Sequence, residues 1–406
     1  MRRDVPTDEK ALSAVFLEAA GDDVQDEADA NMANVSEEDG SDTSDESCGS
    51  TPMDLSLAVP ALCLLHVEGP VLVLDVSRDS RHVVTLDHCG VAFVWRLDMG
   101  VLAFVCRRSV AIAEERVWCA AFSPDSTLLC TGDTSGCVRV WRIDVPRVVC
   151  EFVTFGFIKW VRWNHVDNAL LAGTVDGIVW MWKVPGGECK IMQGSFTTCG
   201  DGRVLADGRR AATVYDDGSV CIWDLKRARL LHDLSGPNRI HDSRVTSLDV
   251  GGELVATGAY TVHVLHSGTG HVVATFPRIL LDLPPGDDDN KVCTLSFQSQ
   301  QETLAAGTHS GVLALLDLSS CAERRRYVHP YAISRVVWRG PHTVLTSCGD
   351  GIVRAFDVRT EGSEPVARWK CASRGLMSLA MCRDGLSFVT SCCLGMCGVY
   401  RFQTPL

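Results

Sequence analysis

The stretch Trp180-Met-Trp-Lys-Val-Pro185 ends a unit that recurs along this chain. The unit consists of an apolar strand, a polar turn, a second apolar strand, a turn that contains glycine, and a third strand that ends on an aromatic residue. One copy runs from Trp160 to Trp182, and another runs from Gly202 to Trp223. Repeats of about 40–45 residues with this kind of ending predict the four-stranded blades of a β-propeller.

The number of blades follows from the residues that close the third strands. We assign these closing positions to Trp95, Trp141, Trp182, Trp223, Leu265 or His266, Leu316, Phe356 and Tyr400. The interval from Trp223 to Leu316 is 93 residues (316 − 223), which is two repeats, so a degenerate fifth blade must lie between them. The sequence therefore predicts an all-β WD40 propeller with eight blades, with seven blades as the alternative.

The two ends of the repeat region predict how the ring closes. Tyr400 closes the third strand of the last repeat, and an apolar stretch at 57–67 precedes the first repeat without belonging to one. A propeller is stable only if the sheet edges at its seam are covered. We therefore expect residues 61–66 to supply the outer strand of the last blade, within a propeller domain that spans residues 57–406.

Residues 1–56 differ in composition from the rest of the chain. Residues 1–55 hold 16 acidic and 3 basic residues, so their net charge of −13 equals that of the whole chain. With almost no aromatic residues this segment is predicted to be a disordered acidic tail. It acts either as a solubilising segment or as an electrostatic attractor for a basic partner. Acidic residues follow Ser36 and Thr43, a pattern that acidophilic kinases favour, so these two residues are candidate phosphorylation sites.

Several function classes find no support in the sequence. No signal peptide or transmembrane stretch is recognisable, which predicts a soluble protein in the cytoplasm or also in the nucleus. Many of the nineteen cysteines fall in apolar strands, where they are expected to be free and buried. No nucleotide-binding, hydrolase or zinc motif is present. We therefore expect no catalytic residue, no metal, no cofactor and no small-molecule substrate.

The turns before the closing strands suggest a structural role for their carboxylates. Asp176, Asp217 and Asp350 each stand six residues before a closing aromatic residue, where they are expected to cap the turn. The equivalent residues of four other blades have no carboxylate: Cys89, Ser135, Ser310 and Leu394. His241 and His329 are the candidate histidines that precede first strands. The polar network within the blades is therefore expected to be partial.

The amino-acid sequences of several repeats are similar to those of a known family. The segment Trp180–Pro185 resembles sequences of the angio-associated migratory cell protein family. The segments Ala92-Phe-Val-Trp-Arg-Leu97 and Ile222-Trp-Asp-Leu-Lys226 do so as well. This resemblance implies a cytosolic, eight-bladed propeller without catalysis. In that family a fungal relative is a dedicated chaperone for a ribosomal protein, and animal relatives are linked to cell migration.

The leading functional hypothesis is a protein-binding scaffold with chaperone-like activity for a basic segment of a ribosomal protein. Acidic residues and two tryptophans are expected in or near the loops of one propeller face, and these are the candidate partner-binding residues: Glu114, Glu115, Trp118, Trp160, Asp216, Asp287, Asp288 and Asp289. The alternative for both tryptophans is packing in the core. A monomer is expected.

Two other functions stay open. One is a substrate receptor of a cullin-type ubiquitin ligase, because Phe356-Asp-Val-Arg359 and Trp223-Asp-Leu-Lys226 approach the Trp-Asp-x-Arg motif of such receptors. The other is a cytoskeletal or cell-migration signalling adaptor. Nucleic-acid binding has little support, because the basic clusters at 226–229 and 324–326 are short and separated.

Overall fold

The computed structural model describes residues 62–64, 69–98, 103–110, 116–145, 147–277, 291–298, 303–373 and 375–402. The predicted acidic tail at 1–56, with Ser36 and Thr43, lies outside these ranges. Within them the structure contains 32 β-strands and one short 3-10 helix, Gly236–Asn238. No helix in the described ranges is long and apolar enough to cross a lipid bilayer.

The strands form eight separate four-stranded antiparallel sheets, and each sheet is one blade. The first strands of the blades are β2 (Val71–Val76), β6 (Val117–Phe122), β10 (Ile158–Trp163), β14 (Cys199–Val204), β18 (Ser247–Gly251), β22 (Val292–Phe297), β26 (Ile333–Arg339) and β30 (Leu376–Met381). The second strands are β3 (His82–Asp87), β7 (Leu128–Asp133), β11 (Ala169–Thr174), β15 (Arg210–Tyr215), β19 (Leu254–Gly258), β23 (Thr303–Thr308), β27 (Thr343–Cys348) and β31 (Ser387–Cys392).

The third and fourth strands complete the blades. The third strands are β4 (Ala92–Asp98), β8 (Cys137–Arg142), β12 (Ile178–Lys183), β16 (Val220–Asp224), β20 (Val262–His266), β24 (Val312–Asp317), β28 (Ile352–Asp357) and β32 (Cys397–Arg401). The fourth strands are β5 (Ala103–Val110), β9 (Val148–Val153), β13 (Cys189–Gln193), β17 (Arg229–Leu234), β21 (Val272–Phe276), β25 (Ala322–Val328), β29 (Ala367–Lys370) and, for the last blade, β1 (Leu62–Leu64).

The first strands meet around a central channel. Each of them contacts the first strand of the preceding and of the following blade, and β30 contacts β2, which closes the ring. The prediction of eight blades is therefore confirmed, and the seven-bladed alternative is wrong. The degenerate fifth blade, β18 to β21, occupies the long interval between Trp223 and Leu316.

Burial differs between the strands of a blade because neighbouring blades cover both faces of the inner strands. The second strands β11, β23, β27 and β31 are buried at every residue, and they read as continuous runs of small and apolar side chains. The outer strand β17 is exposed at most positions. The buried residues between blades make up the hydrophobic core.

The seam of the ring is closed by the predicted N-terminal strand. Strand β1 pairs antiparallel with β32, and Leu62, Cys63 and Leu64 lie opposite Val399, Gly398 and Cys397. The last blade therefore takes its outer strand from the N-terminal side of the propeller and its other three from the C-terminal side. This pairing confirms the predicted seam strand for residues 62–64, while residues 61, 65 and 66 lie outside the described ranges. The pairing covers an edge of β32 that would otherwise be open.

Two of the three aspartates predicted to cap turns, Asp217 and Asp350, do so. Asp217 accepts hydrogen bonds from the Ser219 amide at 2.9 Å and the Ser195 hydroxyl at 2.7 Å, as expected of a turn cap. Asp350 accepts the Ile352 amide at 3.0 Å and also pairs with Arg354.

In the first three blades a different position supplies the cap. Asp87 accepts the Val91 amide at 2.7 Å, and Asp133 accepts the Cys137 amide at 2.8 Å. Both stand eight residues before their closing tryptophan, so the interpretation that these two blades lack a carboxylate was wrong. In the third blade Thr174 holds this position and donates to the Ile178 carbonyl at 3.2 Å, whereas Asp176 is exposed.

Two kinds of polar pair, each with a buried threonine, stabilise the blades. A closing tryptophan donates to a threonine of the second strand in three blades, through the pairs Trp95–Thr85, Trp141–Thr131 and Trp223–Thr213. In blades five and seven, which close on other residues, His241 bonds Thr257 and His329 bonds Thr346, each at 2.8 Å. The predicted partial network is therefore present, with its tryptophan and histidine parts in different blades.

The buried histidines predict a loss of stability in acid. Burial, with neighbouring His263, lowers the pKa of His241 to about 3, and burial, with nearby Arg354, lowers the pKa of His329 to about 4. The unfolded chain takes up these protons near pH 6.5, so the stabilisation is complete above that pH and is lost as the pH falls toward 4. Each histidine is expected to cost roughly 2–3 kcal/mol by pH 4.5, at 1.36 kcal/mol per pKa unit.

Urea unfolding at pH 7.5 and pH 4.5 checks this expectation. His241→Gln and His329→Gln should lose less stability between the two pH values than the unchanged protein, by about the amount given for one histidine. Equal losses in all three proteins would show that neither imidazole controls the acid sensitivity.

Candidate functional site at the mouth of the central channel

The two faces of the propeller carry different loops. We call top face the side with the turns between second and third strands and the loops from a fourth strand to the next first strand. We call bottom face the side with the turns between first and second strands and the loops between third and fourth strands. The central channel contains a space of about 490 Å³ that is lined mainly by residues of the first strands.

A β-bulge in the first strands shapes the channel mouth on the top face. In seven blades the pairing register shifts directly after the first residue of the first strand, so one extra residue has no partner in the second strand. These extra residues are Leu72, Trp118, Lys159, Gly200, Cys293, Ser334 and Met377. All of them except Cys293 line the channel space. The bulge thus redirects these side chains from the sheet toward the mouth.

The mouth is largely apolar on the side of blades eight, one and two. Leu72 and Met377 are each 40% exposed, and the half-buried Trp118 lies between them and Lys159. The Lys159 ammonium lies 5.0 Å from the centre of the Trp118 ring, and Phe157 meets Trp118 edge-on at 5.1 Å. A hydrophobic side chain of a partner would find unfilled contact area at this rim.

Below the rim, charged side chains of the first strands form an ionic layer. Asp201 pairs with Arg162 at 2.8 Å and lies 3.6 Å from Arg203. Asp75 accepts the Phe122 amide of the next blade at 3.1 Å, and Asp249 accepts the Phe297 amide at 2.8 Å. These contacts tie neighbouring blades together, so the layer serves the ring as well as the channel.

Burial and neighbouring charges shift the pKa values of the carboxyl groups in this layer. Burial raises the pKa of Asp75 and of Asp249 against the opposing effect of backbone and arginine neighbours. Burial alone would also raise the pKa of Asp201, but the Arg203 and Arg162 guanidinium groups outweigh it and hold that pKa below its usual value. Asp201 is therefore the carboxylate of this layer most firmly held in its charged form.

Trp160 lies in the core and not on the surface. It is 3% exposed, and its indole nitrogen donates to the Cys199 carbonyl at 3.1 Å. Its ring lies between the backbones of Gly173 and Gly202, where any added Cβ would approach the ring within 2.3 Å. The core-packing interpretation therefore describes Trp160, while Trp118 remains a candidate contact residue at the mouth.

Two phenylalanines extend this surface outward over the third blade. Phe155, after β9, is 92% exposed, and Phe196, after β13, is 90% exposed. Asp176 belongs to the top-face turn of the blade between them, and Gly156 allows its carboxylate to approach the backbone next to Phe155. Asp176 is exposed and forms no ion pair with a described residue, so this area combines apolar rings with an available negative charge.

The candidate acidic residues have different positions and partners. Glu114, Glu115, Asp287, Asp288 and Asp289 lie outside the described residues. Asp216 pairs with Arg244 at 3.0 Å. The described part of the top face also carries exposed or half-buried cations such as Lys159 and Arg239. An acidic top face therefore stays a prediction that depends on the loops at 111–115 and 278–290.

The two motifs that suggested a ligase receptor lie on the bottom face. In the first, Arg359 is held by Asp357, with its Nη2 2.6 Å from the carboxylate. In the second, Lys226 is exposed.

Sequence reasoning missed most of the mouth residues, although a local signal was present. Leu72, Lys159 and Met377 each come directly after the apolar residue that begins a first strand: Val71, Ile158 and Leu376. Trp118 has the same relation to Val117. In six of the seven blades with the bulge, the residue at this position lines the channel space.

Comparisons with known proteins agree with this fold. The family model "WD domain, G-beta repeat" matches residues 105–142. The human angio-associated migratory cell protein is 36% identical over 352 residues, which cover 84% of this chain and 79% of the human protein, and the dog protein shows the same identity and coverage.

Solved structures of a fungal protein are also similar. Sqt1 of Saccharomyces cerevisiae has a TM-score of 0.72 at 18% identity, covering 83% of this chain and 97% of that chain. Sqt1 of Chaetomium thermophilum, solved bound to the N-terminus of the ribosomal protein L10, has a TM-score of 0.68 at 20% identity, covering 82% and 97%. At these identities the likeness shows the shared propeller fold.

Proposed function

Since this chain belongs to the angio-associated migratory cell protein family, we propose that it is a non-catalytic scaffold that binds a basic segment of a ribosomal protein, as a chaperone does. The segment lies across the top face at the mouth of the channel. Ribosomal proteins are made in the cytoplasm, so the proposal also assigns the protein to that compartment.

One observation carries the proposal. The bulges place Leu72, Trp118 and Met377 around one opening, where they form an apolar rim in which Leu72 and Met377 are each 40% exposed. Buried aromatic and aliphatic anchors supply most of the binding energy of protein interfaces. A rim of this kind fits one or two apolar side chains of an extended chain.

The charge of the partner follows from the surrounding residues and from the similar structures. Asp176 is available for a cation, and Phe155 and Phe196 beside its blade can cover the aliphatic part of a lysine or arginine side chain. The Chaetomium Sqt1 structure supports the same class of partner, because that propeller is bound to the N-terminus of a ribosomal protein. We propose that an equivalent segment is bound here.

Titration calorimetry with a synthetic peptide of the N-terminus of ribosomal protein L10 tests this function. The double variant Leu72→Ser with Met377→Ser should bind the peptide at least tenfold more weakly, which corresponds to about 1.4 kcal/mol. Asp176→Lys should weaken binding by a smaller factor, because exposed ion pairs contribute only about 0.2–1 kcal/mol.

The matched control replaces two exposed valines of the outer strand β9, Val148→Ser with Val149→Ser, which have similar exposure and lie away from the mouth. This control should keep full affinity. Undetectable peptide binding by the unchanged protein would reject a ribosomal client, and equal weakening in both double variants would move the site away from the mouth.

A further inference from the structure

A second surface of the molecule lies on the bottom face of blade four. The turn between β14 and β15 and the loop between β16 and β17 enclose a cleft of about 560 Å³. Asp207 and Arg209 lie in the turn, and Arg210 begins β15. Asp224 ends β16, and Lys226 and Arg227 lie in the loop. The cleft is on the opposite face from the channel mouth, so it is not part of the site proposed above.

The cleft has an excess of positive charge. Its lining contains four cations and two carboxylates, a net charge of +2. Lys190 of the neighbouring blade adds a further cation nearby, because its ammonium group donates to the Lys226 carbonyl at 2.9 Å. A cleft lined by charges of one sign attracts ligands of the opposite charge and raises their association rate.

Both carboxylates of the cleft are already engaged. Asp207 accepts the amides of Arg209 and Arg210 at 2.8 and 3.1 Å and the Arg210 guanidinium at 2.7 Å. Asp224 accepts the Arg227 amide at 3.0 Å, and it lies 3.6 Å from the Arg227 guanidinium. The acids therefore shape the two loops and have little capacity left for the other cations.

The remaining cations are available to a ligand. Arg209 and Lys226 are exposed and form no ion pair with a described residue. Arg227 is also exposed, and its pair with Asp224 is long. By contrast, Arg210 is neutralised by Asp207 and by Glu253, which lies 3.0 Å from its guanidinium. Guanidinium groups bind carboxylate and phosphate groups through paired hydrogen bonds, so two exposed arginines make an oxyanion a suitable ligand.

The apolar part of the cleft indicates which kind of polymer carries that anion. Leu231 lines the cleft and is 42% exposed, and none of the described lining residues is aromatic. Proteins that bind single-stranded nucleic acid generally stack its bases on aromatic side chains, which this lining does not offer. A peptide can place an apolar side chain on Leu231 and its acidic side chains on the cations.

We propose that this cleft binds an acidic segment of a second protein, whose anionic oxygens pair with Arg209, Lys226 and Arg227 while an apolar side chain contacts Leu231. The anions are carboxylates of consecutive acidic residues or the phosphates of phosphoserine. The propeller then holds two proteins of opposite charge on opposite faces.

Fluorescence anisotropy with the full-length protein tests the proposal. The probe is a fluorescein-labelled peptide of consecutive glutamates that ends in leucine, and a second probe replaces two glutamates with phosphoserine. The variant Arg209→Glu, Lys226→Glu, Arg227→Glu should bind either probe at least tenfold more weakly than the unchanged protein. Binding should also weaken as the ionic strength rises from about 50 mM to about 300 mM, since exposed ion pairs are screened.

The control variant carries the same charge change at three exposed cations on other blades, Arg147→Glu, Arg324→Glu and Arg401→Glu. It should keep nearly full affinity. Comparable weakening in the two triple variants would overturn the proposal, because net charge alone would then explain binding. Tighter binding of the phosphoserine probe would identify phosphate as the preferred anion.

Two further measurements separate this proposal from its competitors. An oligouridylate that binds more tightly than either peptide, and that loses its affinity in the cleft variant, would make the cleft a nucleic-acid site and reject the peptide. The cleft variant should bind the L10 peptide as the unchanged protein does, so a failure of one site is distinguishable from a failure of the other. Its melting temperature should stay close to that of the unchanged protein, because the three side chains are exposed.

Discussion

A chain that starts at residue 68 is expected to aggregate, whereas a chain that starts at residue 56 should unfold at the same temperature as the full-length protein. The longer deletion removes β1 and leaves β32 as the open edge of an incomplete blade. Exposed strand edges pair with other chains, which leads to aggregation. The shorter deletion removes the predicted acidic tail and keeps the seam intact.

The expected loss is large because several contributions disappear together. The backbone hydrogen bonds between β1 and β32 contribute roughly 0.5–1.5 kcal/mol each. Val399, opposite Leu62, is fully buried in the core that joins the last and first blades, and it lies on the strand edge that the longer deletion would expose. Strand β1 also contacts β5 of the first blade, so its loss would remove a contact across the seam.

Light scattering and thermal unfolding of the purified chains check this expectation. The chain that starts at residue 56 is the matched control, since it lacks the same excess charge but keeps the strand. Identical melting curves and equal solubility for both truncated chains would show that β1 does not close the ring in solution.

Replacement of Trp160 by alanine is expected to cost about 3–5 kcal/mol of stability, as removal of a large buried aromatic side chain usually does. The ring is 3% exposed, and its indole hydrogen bond to the Cys199 carbonyl joins blade three to blade four. The same change at Trp118 should cost much less stability, because that ring is half exposed at the mouth, while it should weaken binding of the L10 peptide.

Chemical unfolding and peptide titration of the two variants separate their roles. Gly202→Ala gives an independent check on Trp160, because its Cβ would approach the ring within 2.3 Å and force it to move. A stable Trp160→Ala variant with reduced peptide binding would mean that Trp160, not Trp118, is the contact residue.

The blade count could be predicted because it depends on a repeated local pattern. The spacing of the closing residues is fixed by strand length and turn length, so even the missing aromatic residue of blade five did not hide that blade. The seam could be predicted for a related reason, since an apolar segment without a repeat was matched by a blade without an outer strand.

The positions of the site residues depend on β-bulges and on contacts between distant residues, which the repeat length does not specify. Trp118 and Trp160 both stand near the start of a first strand, but Trp118 is the second residue of its strand and Trp160 is the third. The bulge falls between the first and third residues, so it turns one ring toward the mouth and leaves the other in the core. Ion pairs such as Asp216 with Arg244 also join distant positions, and no local pattern announces them.

The pairing of β1 with β32 also determines when the ring can close during synthesis on the ribosome. Leu64 is translated 333 residues before its partner Cys397 (397 − 64). At roughly 5–20 residues per second, the interval between the two is about 17–70 s. During this time β1 has no partner strand, although the first seven blades can already form. A cell that makes this protein must therefore keep β1 from pairing with other chains until β32 has left the ribosome.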